Sequence, residues 1–390
     1  MITVEEALDH LFALISPLET EAVPLTQAVG RVLAEDAIAT RDQPPFAASA
    51  MDGYAVRADE VAVGAGFDMI GESAAGHGFD GTCGAGQAVR IFTGAPLPDG
   101  AGHVVIQEDI DRDGDRITIS DRLGGGDNIR PAGADFRTGD RLAAPRLLRP
   151  SDIALLASMN IADVQVARRP DVALISTGDE LVMPGEDPGP DQIIASNTFG
   201  LKALLDGIGA RARILPIAKD SRPLLEAAFD LARDADLIVT IGGASVGDHD
   251  LVGPVAESLG MQRSFYKIAM RPGKPLMAGR MGDAVMVGLP GNPVSAMVCG
   301  HVFLAPVIRA LLGLGQSPLP RMTARLGADM PANGPREHYM RAFVADGEIT
   351  AETRQDSSLL TVLADANALL IRPRDDGPRS IGDIVDYIPI

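Results

Sequence analysis

The sequence predicts a multidomain α/β plus β protein whose centre is a doubly wound, mostly parallel sheet. Three observations predict it. At 390 residues the chain exceeds what one hydrophobic core ordinarily serves. Across residues 169–315, short apolar runs alternate with helical periods, the pattern of strands covered on both faces. On either side that pattern gives way to glycine-rich, alternating runs of the kind that build small β modules.

Thr3 with Glu6 forms a capping box, and Val4, Ala7, Leu8, Leu11, Phe12 and Ile15 follow at helical spacing, so the chain opens with an amphipathic helix. Residues 44–140 read as a β-rich module with strands at Gln87–Phe92, His103–Gln107 and Arg116–Ser120. Ser151 and Asp152 start a second helix through Ser158. It is expected to pack on the first, joining residues 1–43 and 141–168 into an elongated linker region. Within 169–315, Val172–Thr177, Ile214–Ala218, Leu237–Ile241, Tyr266–Met270 and Ala284–Leu289 are the expected strands. Leu201, Leu204, Leu205 and Ile208 mark one helix. Ser221 caps another through Arg233, and a long helix runs from Pro293 to Leu312. In residues 316–390, Arg321–Leu326, Tyr339–Ala345 and Ile384–Ile388 suggest a C-terminal β module.

Composition excludes several function classes. Lys and Arg number 34 against 53 Asp and Glu, a net charge of −19, which repels phosphate backbones and anionic lipid. Neither nucleic acid nor a membrane is an expected partner, and an anionic ligand would need a local cationic cluster or a divalent cation. Cys83 and Cys299 stand far apart, which fits a reducing, cytoplasmic setting, and no signal peptide is visible at the N-terminus. The most apolar stretch, 285–315, is broken by Pro290, Gly291, Asn292 and Pro293 and reads as strand, turn and packed helix. Six scattered histidines make no zinc pattern.

In a doubly wound sheet, ligands bind beyond the carboxyl ends of the strands. Four loops at that edge carry chemistry. Thr177-Gly178-Asp179-Glu180 sets two carboxylates after a buried strand, and Gly242-Gly243-Ala244-Ser245-Val246-Gly247-Asp248-His249-Asp250 adds a glycine turn and two more. Lys267 leads to Arg271-Pro272-Gly273-Lys274-Pro275, and Leu289-Pro290-Gly291-Asn292-Pro293-Val294-Ser295 opens the last helix. Glycines admit a phosphate close to the backbone, a helix N-terminus offers N–H groups, the cations supply charge, and paired carboxylates suit Mg²⁺. Singly, each loop has an ordinary structural explanation as a turn, a cap or a solvated face. Their convergence on one edge predicts a pocket for a phosphorylated small molecule with a metal.

Taken with Ser49–Val56 (SAMDGYAV), Phe92–Pro98 (FTGAPLP) and Asn128–Asp135 (NIRPAGAD), the loops STGDEL, GGASVGD, RPGKP and GLPGNPVS make seven ordered motifs. This set resembles the MoeA/gephyrin E-domain molybdopterin molybdenumtransferases over essentially the whole chain. The resemblance implies a molybdopterin-binding central domain, a C-terminal β-barrel and a homodimer with active sites shared between subunits. It implies insertion of molybdate into adenylyl-molybdopterin with release of AMP, dependent on Mg²⁺ held by Glu180 and Asp250. Asp52, Thr93 and Asp135 would reach the site from one subunit. Asp179, Glu180, Asp220, Gly243, Ser245, Asp250, Lys267, Arg271, Lys274, Pro290, Asn292 and Pro293 would line the other's pocket, with Arg341 and Ser357 approaching from the C-terminal module. Of these, Asp52, Asp135, Glu180, Asp220 and Asp250 would be catalytic and the rest substrate-binding. Transient contact with a molybdopterin adenylyltransferase would follow. One departure is visible: Ala47-Ala48 stands where many bacterial relatives have Asp-Asn, whereas Arg271, where some have Lys, preserves the charge. Other readings remain compatible with the residues: a molybdopterin adenylyltransferase, a tungstate-inserting paralogue and a non-enzymatic scaffold.

Overall fold

The computed structural model describes residues 1–243 and 251–390. Its central sheet has six strands in the order Arg211–Ile214, Asp171–Ser176, Leu237–Ile241, Ala284–Leu289, Met277–Met281 and Gln262–Tyr266. The first four run parallel; Met277–Met281 runs against its neighbours on both sides, so Gln262–Tyr266 returns to the direction of the first four. Leu237–Ile241 and Ala284–Leu289 are buried at every position, because helices cover both faces. Alternate residues therefore enter two cores. Val172, Leu174, Val239 and Val287 face one, which contains Leu201, Leu205 and Val307; Ala173, Ile175, Ile238 and Met286 face the other, with Leu225, Phe229 and Val255.

The chain order reverses between Asp171–Ser176 and Leu237–Ile241. From the first strand the chain crosses to one side, then returns to pair on the other. That reversal leaves a crevice beyond the strand ends, the place where open α/β sheets bind ligands.

Several elements differ from expectation. The opening helix forms at Val4–Phe12, with Thr3 Oγ1 accepting from the Glu6 N–H at 3.1 Å. Its buried face packs into the central-domain core beside Phe265, Val285 and Leu311. The second helix, Pro150–Ser158, belongs to a separate core with Val23, Leu33 and Val166. The expected packing of the two helices on each other is thus overturned: amphipathicity dictates that a face is buried, not what buries it. The second strand comes earlier than predicted, at Arg211–Ile214. It is an edge strand, where Arg213 pairs with Asp171 of the neighbouring strand at 2.9 Å, and its two arginines hide the strand pattern. The strand expected at Tyr266–Met270 divides. Lys267 adopts φ 69°, ending Gln262–Tyr266, and Met270–Arg271 instead pairs with Glu337–His338 of the C-terminal module. The helix Val252–Ser258 and the strand Met277–Met281 were not anticipated.

The C-terminal module is a closed five-stranded barrel. Glu337–Ala345, Glu348–Ala351, Met322–Leu326, Ile384–Pro389 and Ala368–Arg372 pair in turn, and the last returns to the first. The β-rich module is a six-stranded sheet containing Gly53–Val56, Gln87–Ile91, His103–Ile106 and Arg116–Ile119. A four-stranded sheet, Thr20–Pro24, Asp163–Ala167, Val32–Leu33 and Arg146–Leu147, draws two strands from before the β-rich module and two from after it. The long apolar helix, 293–311, is 83% buried, so its apolar surface serves the core.

Candidate active site

A cleft of about 700 Å³ opens at the crevice, lined by Ser176, Thr177, Ile241 and Gly242 from the two strand ends. It brings together Glu180, Gly243, Pro275, Pro290, Asn292 and Pro293 from all four predicted loops, with Asp220 from a further one. Two glycines shape its floor. Gly178 has φ 146°, and a Cβ there would lie 2.3 Å from Glu180 Oε2, so the Glu180 carboxylate folds back over a residue without a side chain. At Gly242, φ is 96° and a Cβ would meet the Thr177 carbonyl oxygen at 2.6 Å. Asp179 points elsewhere: its Oδ1 accepts from the Asp220 N–H at 3.2 Å, holding the neighbouring loop in place. Ser245, Asp248, His249 and Asp250 lie outside the described residues.

A smaller cleft of about 290 Å³ adjoins the first, sharing Pro275 and Asn292 with it. Arg271, Lys274, Ser295 and Ser357 line it together with Arg336, Gln355 and Asp356. Asn292 Nδ2 donates to Ser357 Oγ at 3.1 Å, fastening the central domain to the barrel at the boundary. The N-terminus of the last helix is partly used up here, because the Val294 N–H donates to the Ser357 carbonyl at 3.0 Å and Pro293 has no N–H.

Behind this cleft lies Arg341, with 0% exposure. Its Nη2 donates to the carbonyls of Asp356 (2.8 Å) and Arg354 (3.3 Å), while Nε and Nη1 have no protein partner. A buried guanidinium with two unmatched N–H donors is costly unless an anion completes it. Burial, and then the nearby Arg271 charge, lowers its pKa from the usual arginine value. His338 is pushed down to about 4 by burial and by Arg271, Arg341, Arg336 and Arg372, which makes it a neutral neighbour at pH 7. Lys267, by contrast, lines neither cleft; its ammonium sits 4.9 Å from the Tyr266 ring centroid.

The β-rich module holds the third set apart from these clefts. The Asp52 carboxylate accepts from the Thr93 N–H (2.7 Å) and the Thr93 hydroxyl (2.8 Å). Those two bonds hold it below the usual carboxylate range, so it is ionised at neutral pH. Asp135 lines a cleft of about 690 Å³ with Arg41, Phe46, Ala48 and Arg130. Ala48, part of the departure noted above, is buried in a strand paired with Ile129–Arg130. Within one protomer none of Asp52, Thr93 and Asp135 lines the central clefts.

Sequence reasoning missed an apolar wall. Leu181, Ile193 and Ile194, on the short pairing of Leu181–Val182 with Ile193–Ile194, line the large cleft, with Ile193 58% exposed. Asn197, whose Nδ2 donates to the Gly291 carbonyl at 2.7 Å, was also missed. Exposed isoleucines in an otherwise polar connection were the available signal.

Fold and site together define a protein of the molybdopterin-binding class: a doubly wound sheet with its cleft at the switch point, flanked by a β-rich module and a barrel. Residues 2–160 match the MoeA N-terminal region (domain I and II), 173–310 the probable molybdopterin binding domain, and 323–390 the MoeA C-terminal region (domain IV). The chain is 35% identical to a molybdopterin molybdenumtransferase of Haemophilus influenzae, over 100% of this chain and 98% of that one. A molybdopterin molybdenumtransferase of a Nostoc species is 36% identical over 96% of this chain and 90% of its own length. The crystal structure of the molybdopterin biosynthesis MoeA protein from Pyrococcus horikoshii superposes with a TM-score of 0.87 at 27% identity, covering 100% of both chains. The chain belongs to the MoeA family of molybdopterin molybdenumtransferases.

Proposed function

We propose that this enzyme acts in molybdenum cofactor biosynthesis by inserting molybdate into adenylyl-molybdopterin, releasing AMP, in a site that a second copy of the chain completes. The observation that carries this reading is contiguity. A large cleft bearing carboxylates at strand ends meets, across Pro275 and Asn292, a small cleft with Arg271, Lys274 and buried Arg341 behind it.

The division suits two unlike substrates. In the large cleft, Leu181, Ile193 and Ile194 give a flat apolar wall for a heterocycle, and the glycine turn lets a pyrophosphate approach the backbone. In the small cleft, Arg271 and Lys274 offset the charge of a tetrahedral dianion, and Ser357 offers a hydroxyl. Arg341, buried behind the small cleft, adds its charge to the field that the same oxyanion meets.

Mg²⁺ fits the donors present. Glu180 and Asp220 are hard oxygen ligands on one cleft, and among the described residues no three ligating side chains form a closed cage. An ion that keeps its waters and takes substrate phosphates needs only one or two carboxylates. Glu180 would hold it with Asp250, and bound there it would neutralise the pyrophosphate. The chain's own contribution is orientation. Asp179 braces the Asp220 loop, Gly178 seats Glu180, and Asn292 fixes the cleft boundary.

Asp52, Thr93 and Asp135 enter this scheme as groups supplied by the partner of a homodimer. A reactive adenylylated substrate favours direct delivery by transient contact with its adenylyltransferase. Subunit mixing tests the shared site. Glu180→Ala and Asp52→Ala should each be inactive. Their mixture should recover roughly a quarter of wild-type turnover, since half the dimers are mixed and each has one intact site. Verified heterodimers with no recovered activity would overturn the shared arrangement.

A further inference from the structure

We infer that Arg90 is a positioning residue for Asp52, its guanidinium fixing the backbone that presents the carboxylate. The inference rests on the proposal that Asp52 acts in the partner's cleft. Arg90 lies on the strand Gln87–Ile91, directly across from Tyr54 on Gly53–Val56. Its Cζ stands 4.9 Å from the Tyr54 ring centroid and 4.8 Å from that of Phe92, so the planar group is in contact with both rings. Nη1 donates to the Gly53 carbonyl at 3.1 Å and Nη2 to Gln107 Oε1 at 2.7 Å. The Gln107 N–H in turn donates to the Asp52 carbonyl at 3.1 Å. Two successive carbonyls, those of Asp52 and Gly53, are therefore tied to one guanidinium, directly and through Gln107.

The same group reaches the other half of the pair. Phe92 precedes Thr93, whose N–H and hydroxyl bind the Asp52 carboxylate. Stacking on Phe92 and bonding to Gly53 thus hold the acceptor and its donors in one register. Among the described residues Arg90 donates to Gly53 and Gln107 and not to the carboxylate itself; its charge adds a smaller downward pull on the Asp52 carboxyl behind the two Thr93 bonds. A lysine would keep the charge but could not span Gly53 and Gln107 with one planar fork.

The test uses full-length protein with ¹³C-carboxyl aspartate, the Asp52 signal being assigned by Asp52→Asn, alongside AMP release from adenylyl-molybdopterin. Arg90→Ala should raise the Asp52 titration midpoint and lower kcat about tenfold to a hundredfold, with KM for molybdate little changed. Arg90→Lys should restore the midpoint but not kcat. Gln107→Ala, which leaves strand pairing intact, should shift kcat the same way by less and serves if Arg90→Ala does not fold. Wild-type midpoint and kcat in Arg90→Ala, full kcat in Arg90→Lys, or an unchanged Gln107→Ala would each overturn the inference. If the wild type releases no AMP, the activity reading fails. The titrations then still decide for Arg90: a raised midpoint in Arg90→Ala supports its role, and an unchanged one ends it.

Discussion

Replacing Arg341 by Met separates a binding role from a structural one, because the two predict opposite balances of stability and affinity. Arg341 has 0% exposure, makes two hydrogen bonds through Nη2, and leaves Nε and Nη1 without a protein partner. Removing it loses two charge-assisted bonds, about 1.5–3 kcal/mol each, and relieves two unmatched donors at about 1–3 kcal/mol each. The terms nearly cancel. Met fills a similar volume, and the two released carbonyls belong to the exposed residues Arg354 and Asp356, where water can reach. Folding stability without ligand should therefore stay within about 2 kcal/mol of wild type, against about 3–5 kcal/mol for breaking a fully matched buried pair. Molybdate binding should weaken as well: losing a buried positive charge close behind the cleft, about 1.5–3 kcal/mol against a dianion, corresponds to a roughly tenfold to hundredfold weaker Kd. Urea unfolding gives the first quantity, and the rise of Tm with added molybdate gives the second. A variant that loses about 4 kcal/mol of stability yet keeps the full molybdate-induced rise would refute the reasoning.

Two further predictions concern the cleft and the core. Gly178→Ala puts a Cβ where Glu180 Oε2 now lies 2.3 Å away, at φ 146°. The fold should survive a cost of about 1–2 kcal/mol, while the Mg²⁺ concentration for half-maximal turnover rises at least about tenfold; an unchanged Mg²⁺ response would remove Glu180 from the metal site. Acid should destabilise the protein before its carboxylates titrate. His338 and His301 both fall from 6.5 to about 4, His301 through burial alone. Because the folded values lie below the unfolded ones, stability is complete above about pH 6.5 and is lost as pH falls toward 4, by about 2 kcal/mol per histidine at pH 5. Comparing unfolding free energies at pH 7.5 and 5.0 should show His338→Gln losing correspondingly less than wild type. An identical loss in both proteins would contradict the assignment.

What was legible in the sequence follows from which forces act locally. Leu237–Ile241 and Ala284–Leu289 form bound for bound as read, because strands buried on both faces must be apolar throughout. Arg211–Ile214 escaped that logic as an edge strand free to carry arginines. The three loops around Glu180, Gly242 and Asn292 meet at one cleft because chain reversal in the sheet brings their strand ends together, and the expectation of a doubly wound sheet implied a shared edge. The identity of the anion subsite was less visible. Arg341 alternates within an ordinary-looking strand, and only the closed barrel shows it buried with unmatched donors. Lys267 illustrates the opposite failure, a cation in the right segment whose left-handed backbone sends its side chain onto Tyr266. The separation of Asp52 from Glu180 within a protomer is a question of assembly, on which local pattern is silent.

The central claim is that the joined clefts couple oxyanion capture to pyrophosphate cleavage. It is tested most directly by single-turnover AMP release from adenylyl-molybdopterin, with molybdate and Mg²⁺ varied independently. The account predicts AMP only when both are supplied, in step with the appearance of dithiolene-bound molybdenum. AMP formed at the same rate without molybdate, or molybdenum inserted while the adenylate stays intact, would contradict it.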